Sequence, residues 1–364
     1  MISTILAAAG VAVALVIGLG RQCTVFTAWK GGIGIFRRYP QKRLTGAIVA
    51  ISLLAISLAT GPPARPVPFA VAIVVLLVIA FLFRLEWMFP ALNRVMPVQA
   101  EEANLDDDAL VMLVTGSDPT APGESDTSEQ VSRAYPLDRM VIARHLVHDT
   151  IGSTPVVVTY CALCRSGLAF RAEVDGNTAR FRVVGVFRRN LIMEDDVSFT
   201  LWQQATGHAV FGPYAGTTLE LLPSVQLPWG AAKRDSGSSL TLAMEPPDTR
   251  PAPFASNRGF RLLKLATDHV TVPGYTKLSD RLPRRETVFG VVVNGSARAY
   301  PEKRCREAGR FTDTLGGVRL DFVYDQDRQT LIVTRADGTP PPAIEKHWWL
   351  GWNEFHPEST VWEP

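Results

Sequence analysis

The residues of this chain best suited to chemistry are Cys161 and Cys164, in the run Thr159-Tyr160-Cys161-Ala162-Leu163-Cys164-Arg165. Two thiols separated by two residues at the end of a strand have three physical options. As thiolates they hold a soft cation such as Cu(I) or zinc. As a dithiol they cycle with a disulfide, because a thiolate stabilised by its neighbour is a good nucleophile. Or they stay inert, as buried thiols or a static disulfide. The remaining cysteines, Cys23 and Cys305, stand alone, and four cysteines are too few for a disulfide scaffold. A CxxC is half of a zinc site, and neither a second CxxC nor a paired-histidine motif completes it.

Residues that could join the pair lie near it in sequence. His145 and His148 precede the cysteine strand, Met193 follows in Asn190-Leu191-Ile192-Met193, and His208 sits in a glycine-containing loop. Two cysteines with His145 and Met193 make a soft, copper-like ligand set. Each has a blander reading: Met193 as core, His208 as a loop residue. Arg165, Arg188 and Arg189 are candidate cations that would lower a thiol pKa, or else solvated surface. Asp195, Trp202 and Gln203 form an acid-tryptophan-amide arrangement, with packing the simpler role for the indole. The aromatic C-terminal run His347–Trp362 closes a core, with His347, His356 and Glu358 at helix ends or on the surface.

The elements that must position these groups read as strands. PVVVTY, GLAFRAEV, ARFRVVGVF, VFGVVVNG, VRLDFVY and TLIVTR are β-branched or aromatic runs bounded by turn residues. EVDGNTARF predicts a hairpin turning at Asp175-Gly176. Gly116–Val131 is a Ser/Thr/Pro/Gly-rich loop. An internal repeat organises the rest. Arg133-Ala134-Tyr135-Pro136, then Asp149-Thr150-Ile151-Gly152, then PVVVTY, returns as Arg298-Ala299-Tyr300-Pro301, Asp313-Thr314-Leu315-Gly316 and VRLDFVY, with the Arg-to-Asp spacing differing by one residue. Where the first copy has TYCALC the second has VYDQDR. The strand and turn are thus built once without cysteines, which gives Cys161 and Cys164 a role beyond the scaffold.

The first ninety residues differ in kind. Ile5–Leu19, Leu44–Leu58 and Val67–Phe83 are apolar runs, the third the most hydrophobic, and together they predict three transmembrane helices. No basic residue precedes the first run, which argues against a cleaved signal peptide. Arg21, Lys30, Arg37, Arg38, Lys42 and Arg43 fall between the first two runs and only Arg65 between the next two, so loop charge places the soluble domain in the cytoplasm. Trp87, Met88 and Phe89 suit an interfacial anchor. A net charge of +2 with mixed signs gives no nucleic-acid footprint. The expected organisation is a transmembrane segment over 1–90, a linker over 91–108, a first unit with inserted strands over 109–275, and a second unit without the cysteines over 276–364. The fold class is a membrane-anchored, β-rich, mainly antiparallel α+β domain built from two related units.

TYCALCRSGLAF, MEDDVSFTLWQQATGHAVFGPYAG, the paired RAYP and Asp-Thr-x-Gly blocks and the closing W-x-x-FHPEST resemble the prokaryotic domain of unknown function 3179, over about residues 105–364. The resemblance implies that Cys161, Cys164, Asp149, Thr150, Met193, Asp195, Trp202 and Gln203 belong to the family's recurring set, with Asp149, Asp195, Trp202 and Gln203 behind the sulfurs. The sequence departs from the family at His148, usually Asn, and in the basic Val186-Phe187-Arg188-Arg189-Asn190. Relatives look exported, against the cytoplasmic placement. Two expectations follow. One is a membrane-anchored redox or soft-metal protein using the cysteine pair with a copper or zinc ion. The other is a non-catalytic assembly module with structural cysteines, meeting a membrane or envelope protein partner. In both, the lipid bilayer is a partner and nucleic acid is not.

Overall fold

The structure, a computed structural model, describes residues 2–27, 30–62, 67–82, 86, 89–118, 129–236, 239–249, 277 and 279–364. Trp87, Met88, Arg65 and most of the Ser/Thr/Pro/Gly-rich loop lie outside the described residues.

Three apolar helices open the chain: α1 (Ile2–Thr27), α2 (Tyr39–Thr60) and α3 (Val67–Leu82). Two are long and apolar enough to cross a bilayer, Ile2–Gly20 within α1 and Tyr39–Thr60. The described part of the third run is a helix of 16 residues, Val67–Leu82, about 24 Å at 1.5 Å per residue. The helices pack through small residues: a β-carbon on Gly10 would lie 3.1 Å from the Ala50 carbonyl, and one on Gly18 would lie 2.7 Å from that of Leu76.

The segment between α1 and α2 docks on the β-rich part. Phe36 is fully buried in a cluster with Ile33, Val184, Phe187, Ile192 and Leu201. A β-carbon on Gly185 would sit 2.6 Å from the Phe36 ring, so glycine is required there. Arg37 donates to the carbonyls of Phe199 (3.0 Å) and Ser198 (3.3 Å). The Arg38 backbone N–H donates to the buried Glu194 carboxylate, which also pairs with Arg182. Arg43 is buried within the helices, donating to the Ala80 carbonyl at 3.3 Å and lying 3.9 Å from Glu86. Lys42 Nζ donates to the Gly34 carbonyl at 2.6 Å, so four of the basic residues counted for loop charge have specific structural contacts.

Beyond residue 95 the described residues form strands joined by helices of at most 8 described residues. A first series begins with β1 (Met96–Gln99), then runs β2 (Leu110–Asp118), β3 (Glu129–Pro136), α4 (Leu137–Ile142), β4 (Leu146–Ile151), β5 (Thr154–Cys161) and β6 (Ser166–Arg171). It resumes later with β14 (Ser224–Pro228), α5 (Trp229–Ser236) and β15 (Leu240–Met244). Between lie β7 (Glu173–Val174) and β8 (Asn177–Thr178), β9 (Phe181–Phe187), β10 (Asn190–Asp195), β11 (Leu201–Gln203), β12 (Ala209–Phe211) and β13 (Leu221–Leu222). The final series is β16 (Thr287–Val293), β17 (Ser296–Pro301), α6 (Glu302–Ala308), β18 (Arg310–Leu315), β19 (Val318–Asp325), β20 (Thr330–Arg335), β21 (Ile344–Trp348), α7 (Trp349–Phe355) and β22 (Thr360–Val361). The predicted hairpin is present, with Asp175 and Gly176 both at positive φ, 54° and 71°.

The element order hairpin, short helix, three-strand meander occurs in both series. A proline ends each hairpin, since it lacks the N–H a further ladder bond needs. In each, Asp-Thr-x-Gly turns the meander, with Gly152 at φ 59° and Gly316 at φ 57°. Arg133 Nη1 donates to both carboxylate oxygens of Asp149 at 2.6 Å, Tyr135 Oη donates at 2.6 Å and the Thr150 N–H at 2.7 Å. Arg298, Tyr300 and Thr314 do the same for Asp313. Even the parallel partners correspond: β15 lies along β3 with Arg133 Nε donating to Thr241, and β22 lies along β17 with Arg298 Nε donating to Thr360.

The sheets are otherwise antiparallel. They are β1-β15-β3-β2-β14, β13-β6-β5-β4, β21-β16-β17-β22 and β18-β19-β20, with β12-β11-β10-β9 formed by the inserted strands. Strands β6, β14, β20 and β21 touch in a closed ring, one from each of the first four sheets, giving a propeller-like arrangement.

Candidate dithiol site

Strand β5 ends at Cys161, and the turn to β6 carries Ala162, Leu163, Cys164 and Arg165, the last at φ 56°. Cys161 and Cys164 are both fully buried and not disulfide-bonded. They share one core cluster with Leu168, Phe170, Met193 and Trp202. Leu163 between them is partly exposed.

The turn is gripped from two directions. The end of β21 supplies the Trp348 N–H, which donates to the Cys164 carbonyl at 2.9 Å. Helix α7 lies so close that a β-carbon on Gly351 would sit 2.4 Å from that of Cys164. Arg165 Nη1 donates to Thr287 Oγ1 at the start of β16, 2.9 Å away. From the inserted sheet comes Asn190, at the first position of β10. Its amide donates to Cys164 Sγ at 3.2 Å and to Gln204 Oε1 at 2.8 Å. Gln203 Nε2 and the Ala205 N–H donate to Asn190 Oδ1, and Gln204 Nε2 donates to Thr159 Oγ1. The amide orientation is fixed by this chain of partners.

Burial opposes ionisation of both thiols, but the two differ. Against burial, Cys161 is held below the usual thiol range by a hydrogen bond from the Cys164 thiol and by backbone hydrogen bonds around Leu163 and Leu191. Cys164 is pushed well above it by burial and by its bond to Cys161, with Asn190 acting the other way. Cys161 is therefore the first of the pair to ionise. Nearby, burial pushes the Tyr160 hydroxyl up to about 12.

The other sequence candidates are placed as follows. His145 does not join the sulfurs in a three-ligand group, and no group of three or more His, Cys, Asp or Glu suited to a metal occurs among the described residues. Its ring lies tilted against Phe89 with centroids 4.9 Å apart, and burial lowers its pKa to about 4. His148 Nε2 accepts from the Phe181 N–H at 2.7 Å, and burial lowers it to about 4 as well. Met193 lies in the core cluster of the thiols. Asp149 serves the Arg-Tyr-Asp staple, as Asp313 does in the series that lacks the cysteine pair. Asp195 caps a turn by accepting from Ser198, Phe199 and Thr200, and holds the Trp202 indole N–H at 2.8 Å. Gln203 is in the amide chain. His208 is exposed. Arg188 and Arg189 do not reach the thiols; both bind the fully buried Glu354 carboxylate on α7. The basic segment before Met193 is thus a clamp between the inserted sheet and α7.

Asn190, Gln204 and Gly351 were not singled out in the sequence. Gln204 lies inside a block that carries the family resemblance, which was the available signal; Asn190 ends the basic segment that departs from the family and had no signal. Gly351 has none, since its need arises only when α7 meets Cys164.

A family whose description reads protein of unknown function, DUF3179, matches residues 88–340. The chain belongs to the DUF3179 family. No curated protein and no solved structure matches it. The DUF3179 match contains Cys161, Cys164, Asn190 and Gln204. It starts upstream of the residue 105 expected from the motifs and stops before α7, so Gly351 and Glu354 lie beyond it.

Proposed function

We propose that the protein is a membrane-anchored dithiol protein whose Cys161–Cys164 pair cycles between dithiol and disulfide. The Asn190 amide carries this reading. A neutral thiol is a weak acceptor, and directing a buried amide N–H at one gains little unless the sulfur takes on charge. The opposed pKa directions supply the other half: Cys161 is the attacking thiolate and Cys164 the resolving thiol. In exchange with a small-molecule disulfide such as oxidised glutathione, Cys161 Sγ bonds to one sulfur and the other leaves as a thiolate that takes a proton. Cys164 then loses its proton to solvent and attacks Cys161 Sγ, releasing the second reagent thiol. Two electrons pass to the reagent and one intramolecular S–S bond forms.

A soft cation is the second reading, favoured by Met193 in the same cluster as both sulfurs. Two thiolates with a thioether fit Cu(I). They do not fit zinc, which takes four ligands, because His145 is not part of the group.

The full chain in detergent decides between these. Wild type titrated with oxidised and reduced glutathione should lose two alkylatable thiols reversibly, and Cys161→Ser or Cys164→Ser should lose none. Stoichiometric copper held by wild type and released by either variant selects the second reading. Neither reversible oxidation nor copper leaves the cysteines structural and the domain an assembly module.

The same proposal has three membrane spans and two related units. The segment between α1 and α2 meets the soluble domain through Phe36, Arg37 and Arg38, so both lie on one side of the bilayer. That requires α3 to cross. The duplicated Arg-Tyr-Asp staple and the matched parallel strands β15 and β22 support descent of the two series from one unit.

A further inference from the structure

Strands β6, β14, β20 and β21 enclose a cavity of about 540 Å³ at the axis of the propeller-like arrangement. That is within the range of about 300–1,000 Å³ typical of small-molecule sites. Met112, Leu168, Leu222, Phe289, Leu331 and Ile344 give it an apolar wall. Three charged residues also line it, and each is already engaged. Lys346 Nζ binds Glu302 Oε1 (2.8 Å) and the Gln329 carbonyl (2.9 Å). Arg328 Nε makes an ion pair with Asp235 at 3.1 Å without hydrogen-bond geometry, and Glu345 binds His347 Nε2 at 2.8 Å. A charged ligand would therefore meet no unspent counter-charge.

Gln226 stands apart from these. It projects from β14 into the lining, is 6% exposed, and its carboxamide makes no hydrogen bond with a described residue. Its Oε1 is a buried acceptor without a partner. A buried amide left unmatched is costly, and a ligand group that both donates and accepts would satisfy it.

We infer that the central cavity is a binding site for a small uncharged molecule with an apolar body and one hydroxyl or carboxamide head, the head paired with Gln226. This goes beyond the thiol chemistry and does not depend on it. The probes that test it are 2-naphthol and 2-methylnaphthalene, which share a body and differ in the head. Calorimetry on the full chain in detergent, against empty micelles, should show saturable binding of one 2-naphthol per chain. The methyl analogue should bind about 3–10-fold more weakly, the effect of one net hydrogen bond. Gln226→Leu should abolish that preference while retaining the analogue. Ile332→Trp, which fills the cavity from a partly exposed position, should weaken both at least about tenfold. Non-saturable uptake, no preference for the hydroxyl in wild type, or a preference that survives Gln226→Leu would overturn the site.

Discussion

Two turns occupy corresponding places in the molecule and are held by different means. After β19, Asp325 accepts from the N–H groups of Asp327 and Arg328 at 3.0 and 2.9 Å, so that turn is fixed by its own side chain. Its Arg328 then reaches Asp235 at the end of α5. After β5, Cys161 stands where Asp325 stands, and Cys164 where Arg328 stands. That turn is fixed from outside, by Trp348, Thr287, Asn190 and the close approach of α7. A self-capped, solvated turn takes its shape from its own residues, and its long-range ties, Arg328 to Asp235 and Lys346 to the Gln329 carbonyl, are added to a shape already set. A turn with two buried sulfurs and long-range partners can be built only by a folded protein around it. The difference teaches that the cysteines are not there to make the turn.

The largest test strikes what the two series share. Asp149→Ala should destabilise by about 2–4 kcal/mol, because it leaves the buried Tyr135 hydroxyl without its acceptor and the half-buried Arg133 without its counter-charge. Asp313→Ala should cost roughly half as much, since its ion pair is the more exposed of the two, as read from urea unfolding of the full chain. A larger loss at Asp313 would break the correspondence. Next comes acid. His145 and His148 belong to the first series alone, and both are held near 4 by burial. Between their ordinary 6.5 and about 4 the unfolded chain binds the protons and the folded chain does not. Stability is therefore full above that window and falls as pH drops through it, by at most on the order of 3 kcal/mol per histidine. Unfolding midpoints that hold steady across the window would contradict this.

Smaller effects sharpen the contrast at the helices. Gly351→Ala should cost about 1–3 kcal/mol by overpacking against Cys164. In α5 the matching place is already alanine, Ala231, and Ala231→Gly should cost only about 1 kcal/mol through backbone entropy. Equal losses, compared by thermal unfolding, would mean that the sulfur turn imposes no special fit. Smallest is Asp325→Ala, at about 1 kcal/mol for the lost turn hydrogen bonds, with the glutathione titration of Cys161 and Cys164 unchanged.

The sequence carried the parts of this fold that depend on local chemistry. Asp175-Gly176 announced its hairpin because only a few residues accept two successive positive φ values. The RAYP and Asp-Thr-x-Gly blocks announced the twice-made staple because it needs those side chains wherever it is made. What stayed hidden depends on distant partners. β22 is two residues long and is a strand only because β17 lies beside it. Arg188 and Arg189 read as cations for the thiols until Glu354, far along the chain, takes both. Arg37, Arg38 and Arg43 read as a topology signal, and their contacts to Phe199, Glu194 and Ala80 appear only in the fold. The site shows the same division: the sulfurs were visible from their spacing, while Asn190 and Gln204 act through a network that pairwise spacing does not encode.

The docking of Phe36 against Gly185 has a mechanical consequence. A domain joined to a helical segment by one linker swings like a flag and samples a wide volume. Here the segment between α1 and α2 is itself seated in the β-rich part through Ile33 and Phe36, so the apolar helices and the strands share a core. In the membrane-anchored arrangement proposed above, that seat would act as a bracket, setting the tilt of the domain and the direction from which anything meets the sulfur turn.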